Sequence, residues 1–179
     1  MVRLLLLRHA KSDWGAPDLA DHDRPLAERG RHDAPRIGAA LRAGGHVPDR
    51  VLCSTALRAR HTLDLVAGEM ALEAAAEFLP EIYEGGPQQI LDLARSANGG
   101  AQTLMMVGHN PAFHEAALAL CGAGGEALRT AMEAKFPTCT FAVIDFPDGW
   151  SKVGWGAGCL VAFLRPRDLE AAQTGPKPA

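Results

Sequence analysis

Four consecutive leucines at positions 4–7 form an apolar run with no polar residue between them. Such a run is typical of a strand buried on both faces, as in the interior of a parallel sheet. It ends abruptly at Arg8, His9 and Lys11. Because buried charge needs a partner, and because open α/β proteins bind ligands at the carboxyl edge of the sheet, the pattern predicts an anion held by Arg8 and addressed by His9. The alternative is a strand that ends at the surface with solvated charges.

Composition narrows the class of protein. The 179 residues are 47% hydrophobic and 22% charged, which is typical of a globular domain. We expect one domain over 1–168 and a disordered tail over 169–179. The net charge of −3 disfavours a general binder of nucleic acid or of membrane surfaces. No apolar run is long enough for a signal-peptide core or a membrane span, and the four scattered cysteines indicate reduced core residues, so we expect a cytoplasmic protein.

A second cationic residue follows a second strand. The sequence predicts a short strand over 51–53 and then a helix with an apolar stripe, capped by Ser54 or Thr55. Arg58 falls in the first turn of that helix. A helix amino terminus favours anions and disfavours a cation, so a bound anion would account for Arg58. The alternative is a surface arginine paired with a nearby carboxylate.

A second histidine occupies the same kind of position as His9. Residues 103–107, TLMMV, form another apolar strand and run directly into Gly108 and His109. Asn110 is predicted to cap the next helix and Pro111 to begin it. Two histidines, each at the carboxyl end of an apolar strand, are hard to explain as core filling.

Weaker signals lie between these strands. Residues 13–26 are loop-like in composition and form one wall of the predicted site. Within them His22 stands between two aspartates, an arrangement that is more often structural than metal-binding. A helix capped by Asp33 and ended by Gly44 should follow. Residues 77–80 are predicted to form an edge strand.

The second half of the chain is predicted in the same way. Residues 81–86 read as a loop, and the Gly- and Ala-rich residues 122–137 as an irregular segment with one possible short helix. Residues 138–146 resemble a strand. The segment 150–155, with a tryptophan at each end, is predicted to return antiparallel to it in a structural hairpin. Residues 159–164 are the last apolar strand.

Phosphoryl transfer is the chemistry that these residues suit best. Guanidinium groups such as Arg8 and Arg58 bind phosphate oxygens in bidentate fashion. An imidazole between them, His9, can attack phosphorus and become a phosphoimidazole. His109 can donate hydrogen bonds to the phosphoryl oxygens as charge shifts in the transition state. The sequence has no P-loop motif and no metal-ligand cluster of suitable spacing, so we expect neither a metal nor another cofactor.

These motifs resemble the histidine phosphatase superfamily, whose signature is Arg-His-Gly at the first strand. The similarity covers nearly the whole chain and is greatest to the SixA-like phosphohistidine phosphatases, through LLLLRHAKSDW, DHDRPLAERGRHDAP, CSTALRARHT, VGHNP and FLRPRDL. It implies an α/β fold of the phosphoglycerate mutase-like type, a three-layer α/β/α sandwich with a mostly parallel central sheet. It also implies that His9 is the nucleophile, and that Arg8, Arg58 and His109 form the phosphate pocket.

The chain departs from the family pattern in two places. Ala10 replaces the signature glycine, as in many SixA-like proteins, and its methyl group should narrow the approach to His9 without removing catalysis. Larger relatives, such as the phosphoglycerate mutases, carry a glutamate acid after the third strand. Glu81 falls at about that place, with Glu84 as a rival, although SixA-like proteins often manage without this acid. The long insertions that build a mutase substrate pocket are absent.

The resemblance implies a metal-independent phosphatase that works through a phosphohistidine intermediate, with phosphohistidine in a protein as the expected substrate. One alternative is a phosphatase of small phosphomonoesters. Another is a module that binds phosphate or phosphoproteins without turnover, which the presence of both His9 and His109 disfavours because arginines alone would suffice for binding. The oligomeric state is left open.

Overall fold

A central β-sheet organises the computed structural model, which describes residues 1–15, 18–97 and 100–173. Its seven strands are β1 (Val2–Arg8), β2 (Arg50–Ser54), β3 (Ala76–Leu79), β4 (Thr103–Gly108), β5 (Cys121–Gly124), β6 (Phe141–Phe146) and β7 (Gly158–Leu164). Their order across the sheet is β3-β2-β4-β1-β6-β7-β5. Only β6 runs against its neighbours, while the other pairings are parallel, so the predicted mostly parallel sheet is confirmed.

Helices cover both faces of this sheet. They are α1 (Glu28–Ala43), α2 (Leu57–Met70), the one-turn α3 (Glu81–Glu84), α4 (Pro87–Arg95), α5 (Ala112–Leu120), α6 (Glu126–Ala134) and α7 (Pro166–Gln173). Helices α1, α2 and α7 contribute apolar side chains to a cluster on one face, and α4, α5 and α6 to a cluster on the other. The predicted three-layer α/β/α sandwich is therefore confirmed. Among the described helices, none combines the length and apolar character that crossing a membrane would require.

Strand β1, like β2, β4 and β6, contributes side chains to both clusters. Leu4 and Leu6 belong to the cluster beneath α4 and α5, whereas Leu5 and Leu7 belong to the cluster beneath α1 and α2. All four side chains are fully buried. This alternation follows from the two-residue repeat of a strand, and burial of each leucine contributes roughly 1.5–3 kcal/mol to stability. The prediction of a strand buried on both faces is confirmed.

Helix α1 begins six residues earlier than a cap at Asp33 would place it. Asp33 does not cap it but lies inside it, buried, with its carboxylate 3.4 Å from the guanidinium of Arg29. The start of the helix is set instead by packing against the segment that follows β1. A Cβ atom on Gly30 would lie 2.2 Å from the carbonyl oxygen of Lys11, so only glycine allows this approach.

Two other local predictions were wrong. Residues 81–86 are not entirely loop, because Glu81–Glu84 forms the helical turn α3, which buries Ile82 against the sheet. The segment 150–155 does not return as a strand; it begins with a short 3-10 helix, Trp150–Lys152. Trp150 is buried there and its indole N–H donates to the carbonyl of Ala101 at 2.6 Å, an anchoring contact that replaces strand pairing.

The structure also resolves the segments predicted only coarsely. The possible short helix within 122–137 is α6, which follows the edge strand β5. Helix α7 includes residues 169–173, which were expected to belong to a disordered tail, and Leu169 packs against the cluster beneath α1 and α2. The rest of that predicted tail, 174–179, lies outside the described residues. All four cysteines are free thiols, and all except Cys159 are buried, as predicted.

Two helical glycines provide a test of how closely α1 and α2 pack. A Cβ atom on Gly38 of α1 would lie 2.5 Å from the carbonyl oxygen of Val66 in α2, whereas a Cβ atom on Gly68 of α2 would meet nothing within 4 Å. Gly38→Ala should lower the free energy of unfolding by roughly 1–3 kcal/mol because the helices must separate. Gly68→Ala should be neutral or stabilising by up to about 1 kcal/mol. Urea denaturation of both variants measures the difference, and equal stabilities would contradict the close packing.

Candidate active site

The two predicted histidines meet at the carboxyl edge of the sheet. Strands β1 and β4 pair in parallel with Arg8 opposite Gly108, and the backbone N–H of His9 donates to the Gly108 carbonyl at 2.9 Å. His9 and His109 therefore leave adjacent strands at the same level. Their ring centroids are 5.0 Å apart, and the two residues are only 7% and 8% exposed.

The hydrogen bonding of His9 fixes which ring nitrogen is nucleophilic. Its Nδ1 lies 2.7 Å from the carbonyl oxygen of Ala10, which can only accept, so Nδ1 carries the proton. Burial, together with the charges of Arg58 and Arg8, lowers the pKa of His9 to about 3 in spite of that hydrogen bond. The ring is thus neutral near pH 7, with its lone pair on Nε2. Among the described residues, no side chain or backbone group hydrogen-bonds to Nε2.

His109 is held in a complementary way. Its Nε2 lies 2.7 Å from the hydroxyl oxygen of Ser54, which also accepts a hydrogen bond from the Ala56 backbone N–H at 3.2 Å. The hydroxyl proton is therefore available to Nε2, an arrangement that favours a proton on Nδ1. Burial first, and then the neighbouring His9 and Arg58, lower the pKa of His109 to about 3. His109 can thus donate from Nδ1 while remaining a neutral ring.

Arg8 is positioned by a backbone carbonyl and not by a carboxylate. One of its terminal nitrogens donates to the Phe136 carbonyl at 2.8 Å, and burial lowers the pKa of its guanidinium. The Asn110 side-chain amide donates to the same carbonyl at 2.9 Å. The prediction that Asn110 caps the next helix and that Pro111 begins it was wrong, because α5 begins at Ala112 and Asn110 instead braces the loop that holds Arg8.

Arg58 lies in the first turn of α2, as predicted, and is 5% exposed. It donates to the Asp21 backbone carbonyl at 2.6 Å and to the Asp21 carboxylate at 2.9 Å. The carboxylate also accepts from the Tyr83 hydroxyl at 3.0 Å and from Arg24 at 2.9 Å. Partial burial opposes ionisation of Asp21, but the Tyr83 hydrogen bond and the two guanidinium charges outweigh it and lower its pKa. The loop 13–26 therefore contributes a wall of the site through Asp21.

Three residues of this network were not identified from the sequence: Asp21, Ser54 as a partner of His109, and Tyr83. The ring of Tyr83 stands edge-on to His109 with centroids 5.5 Å apart. Asp21 is part of the DHDRPL motif, which gave a usable signal. Tyr83 gave none, because it reaches the site from the helical turn α3 and no spacing links it to either histidine.

Three buried donor nitrogens at this site have no hydrogen-bond partner within the described part of the chain: Nε of Arg8, Nε of Arg58 and Nδ1 of His109. Leaving such a group unpaired costs about 1–3 kcal/mol each. The same two guanidinium charges depress the pKa of both imidazoles. A cationic pocket with unpaired donors around a neutral nucleophile is suited to a tetrahedral oxyanion.

Glu81 and Glu84 occupy different positions relative to this pocket. Both are exposed on α3. Glu84, with Glu115, lines a cleft of about 270 Å³ that His109 and Asn110 also line, whereas Glu81 is not among the lining residues. The structure thus places Glu84, and not Glu81, in the cleft beside His109, and a role for either glutamate as the acid stays a prediction.

His22 takes a structural role in the loop. Its Nε2 lies 3.0 Å from the Thr55 hydroxyl and its Nδ1 lies 3.2 Å from an Asp23 carboxylate oxygen. Across residues 1–15, 18–97 and 100–173, no group of three or more His, Cys, Asp or Glu side chains is arranged to hold a metal ion.

Comparison with known proteins agrees with this geometry. The family model of the histidine phosphatase superfamily, branch 1, matches residues 4–86. An uncharacterized protein of Mycobacterium tuberculosis is 38% identical over 164 residues, which span 90% of this chain and all of that protein. A crystal structure that carries the name phosphohistidine phosphatase SixA, from Agrobacterium tumefaciens, is 32% identical with a TM-score of 0.78, and the alignment covers 92% of this chain and 98% of that one.

A structure of the protein histidine phosphatase SixA complexed with tungstate is 25% identical, with a TM-score of 0.78 over 94% of this chain and 99% of that one. The chain therefore belongs to the histidine phosphatase superfamily, and its sheet and site define a phosphatase that acts on a phosphorylated substrate. Within the superfamily, its similarity to these solved structures places it beside the SixA proteins in fold.

The depressed imidazole pKa values can be tested by NMR. At pH 5 the free protein should show neutral His9 and His109 rings, because both pKa values lie near 3 and protonation occurs only below pH 5. Tungstate should raise both pKa values, since an anion favours the charged ring. The ring C2–H shifts, assigned with His9→Ala and His109→Ala, give the titration midpoints. A midpoint near 6.5 for His9 without oxyanion would contradict the buried, cationic environment.

Proposed function

We propose that the protein is a metal-independent histidine phosphatase that removes the phosphoryl group from phosphohistidine in a protein, through a phosphoenzyme intermediate on His9. The observation that carries this proposal is the 2.7 Å contact of His9 Nδ1 with the Ala10 carbonyl, which assigns the ring proton to Nδ1 and leaves the lone pair on Nε2. The charges of Arg58 and Arg8 act on this ring, and the His109 ring is 5.0 Å away.

The first step transfers the phosphoryl group to the enzyme. The Nε2 lone pair of His9 attacks phosphorus while the bond from phosphorus to the leaving nitrogen of the substrate imidazole breaks. A P–Nε2 bond replaces the P–N bond of the substrate. Because His9 is neutral at pH 7, no general base is needed to prepare it.

The second step returns the enzyme to its starting state. Water attacks the phosphorus of phospho-His9, the P–Nε2 bond breaks, and inorganic phosphate leaves. In both steps Arg8 and Arg58 supply positive charge to the equatorial oxygens, and His109 donates from Nδ1. The positive charge that such a transfer requires thus comes from side chains. Asp21 holds the Arg58 guanidinium in place through two contacts.

The preference for a P–N bond follows from the leaving group. An alkoxide leaves poorly and needs a general acid, typically worth 10²–10⁴-fold in rate. A phosphoimidazole that is protonated on its other ring nitrogen leaves as a neutral imidazole, and because the pKa of imidazole is about 6.5, water can supply that proton near pH 7. Glu81 is exposed and lies outside the cleft that His109 lines. Glu84 and Glu115 line that cleft but are also exposed, so none of the three is buried as a positioned proton donor usually is. Such a site suits a phosphohistidine substrate better than an alkyl phosphomonoester.

The similarity to the SixA structures supports the same reading, since one of them is named as a protein histidine phosphatase and was solved with tungstate, a phosphate-like oxyanion. Mere binding of phosphoproteins would require only the arginines. The defined tautomer of His9 instead supports turnover.

Removal of the nucleophile tests the mechanism. His9→Ala should abolish formation of an acid-labile phosphoenzyme and reduce phosphohistidine hydrolysis to background, because the other imidazole of the site, His109, has its Nε2 engaged by the Ser54 hydroxyl. His61→Ala changes a histidine on α2 that the proposed mechanism does not use, and should behave like wild type. The measurement is brief exposure to a radiolabelled phosphodonor followed by acid treatment, together with steady-state hydrolysis. Near-wild-type turnover by a folded His9→Ala variant would exclude the mechanism.

The role of the two α3 glutamates is tested by comparing substrates. Glu81→Gln and Glu84→Gln should each leave kcat/KM for phosphohistidine within about threefold of wild type, since the leaving imidazole needs no positioned acid. Hydrolysis of an alkyl phosphate should already be weak in wild type. If alkyl phosphates are turned over as well as phosphohistidine, and one variant loses only that activity by about 10²–10⁴-fold, then that glutamate is a working acid. The protein would then be a general phosphomonoesterase.

A further inference from the structure

A cationic groove includes Arg8 and is separate from the cleft that His109 lines. It encloses about 450 Å³, and none of its lining residues is acidic. Six of the lining residues are cations, contributed by β1 and the segment after it, by α1, by the loop before β6 and by the start of α7: Arg8, Lys11, Arg29, Lys135, Arg165 and Arg167. The last two belong to the FLRPRDL motif, which the proposed mechanism does not use.

The charge in this basic groove is only partly neutralised. Arg165 forms a two-pronged pair with Asp168 at 2.8 and 2.9 Å, and Arg29 is 3.4 Å from Asp33. Lys11 and Lys135 have no carboxylate partner within the part of the chain that the structure describes. The whole chain carries a net charge of −3, so this positive surface is a local concentration. Clustered like charges of this kind create a potential that attracts anions.

We infer that the basic groove binds an acidic surface of the phosphorylated protein, next to the phosphorylated residue. The inference rests on the proposed function and extends it, because it names the chemistry by which the enzyme recognises its protein substrate beyond the phosphoryl group itself.

The form of the groove favours a polypeptide over a small polyphosphate. Lys11, Arg29, Lys135 and Arg167 are exposed, and they come from four separate segments. Long, exposed cations at the rim suit carboxylates spread over a protein surface.

Arg8 joins the groove to the phosphate pocket. Its guanidinium lines the groove and also donates to the carbonyl of Phe136, the residue after Lys135. An acidic segment bound along the groove would therefore lead to the pocket in which the phosphoryl group reacts. Because rim charges act mainly on association, the groove should lower KM for a phosphoprotein and leave the chemical step unchanged.

Charge reversal at the outer end of the groove provides the test. The variant Lys135→Glu/Arg167→Glu changes one lysine and one arginine that take no part in the proposed chemistry. Its matched control, Arg42→Glu/Lys152→Glu, makes the same substitutions at the opposite edge of the sheet. Arg42 lies at the carboxyl end of α1, which ends at Ala43. Lys152 follows β6, and the end of β6 pairs with the start of β1, at the edge of the sheet opposite the histidines.

Two measurements are made on each protein at low and at high salt. The first is kcat/KM for a protein carrying phosphohistidine and for free phosphohistidine. The second is binding of a fluorescein-labelled, unphosphorylated peptide of aspartate and glutamate, followed by fluorescence anisotropy with adenosine triphosphate as competitor.

The groove variant should lose about 10-fold or more in kcat/KM for the phosphoprotein and in peptide affinity at low salt, while turnover of free phosphohistidine stays near wild type. High salt should remove the difference, and the control variant should match wild type.

The outcomes separate the two proposals. Equal peptide affinity and equal phosphoprotein kinetics in the groove variant and its control would overturn the inference about the groove. The inference would also be overturned if adenosine triphosphate displaced all of the bound peptide at concentrations far below those at which the peptide itself binds, because the groove would then be a polyphosphate site. Failure of wild type to hydrolyse any phosphohistidine would overturn the proposed function, and peptide binding that depends on Lys135 and Arg167 would still support an acidic partner.

Discussion

The pairing of β1 with β4 is the constraint on which the site depends. Parallel registry places Arg8 opposite Gly108, so the residues that follow, His9 and His109, emerge at the same level with their rings 5.0 Å apart. A slip of one residue would draw Arg3 or Arg8 into the buried stretch that the four leucines occupy, and the cost of burying that charge opposes any such slip. The same apolar contacts that stabilise the fold thus hold the two imidazoles within range of one phosphoryl group.

The electrostatics of this edge of the sheet gives its residues different roles. Burial and the neighbouring guanidinium groups keep both imidazoles neutral, which suits one to attack and the other to donate. The arginines carry the charge instead. They are held differently: Arg58 by the Asp21 carboxylate and its backbone carbonyl, Arg8 by a backbone carbonyl alone. Arg8 therefore keeps an uncompensated charge between the phosphate pocket and the basic groove, in a chain whose net charge is negative.

The errors in the sequence-based predictions share a physical origin. Asp33 and Asn110 were both assigned to helix caps, the commonest local use of such side chains. In the folded chain each serves a contact with other side chains or a distant segment: Asp33 pairs with Arg29 inside α1, and Asn110 donates to Phe136, 26 residues away. Helix α3 formed where a loop was expected because Ile82 is buried against the sheet. Tertiary contact overrode local preference in each case, since the early start of α1, which leaves Asp33 inside the helix, reflects the packing of Gly30 against the Lys11 carbonyl.

The sequence by itself determined the buried strand β1, the mostly parallel sheet and the meeting of Arg8, His9, Arg58 and His109 at one edge. It could do so because an apolar strand that ends in polar residues shows, in the order of its own residues, which way the strand runs and which end faces a ligand. Only the tertiary structure decided which nitrogen of His9 is protonated, that Asp21 contacts both Arg58 and Tyr83, and that Glu84 lines the cleft beside His109. It also assembled the basic groove from four segments. These features depend on contacts between residues far apart in the chain, and such contacts produce no periodic pattern in the sequence.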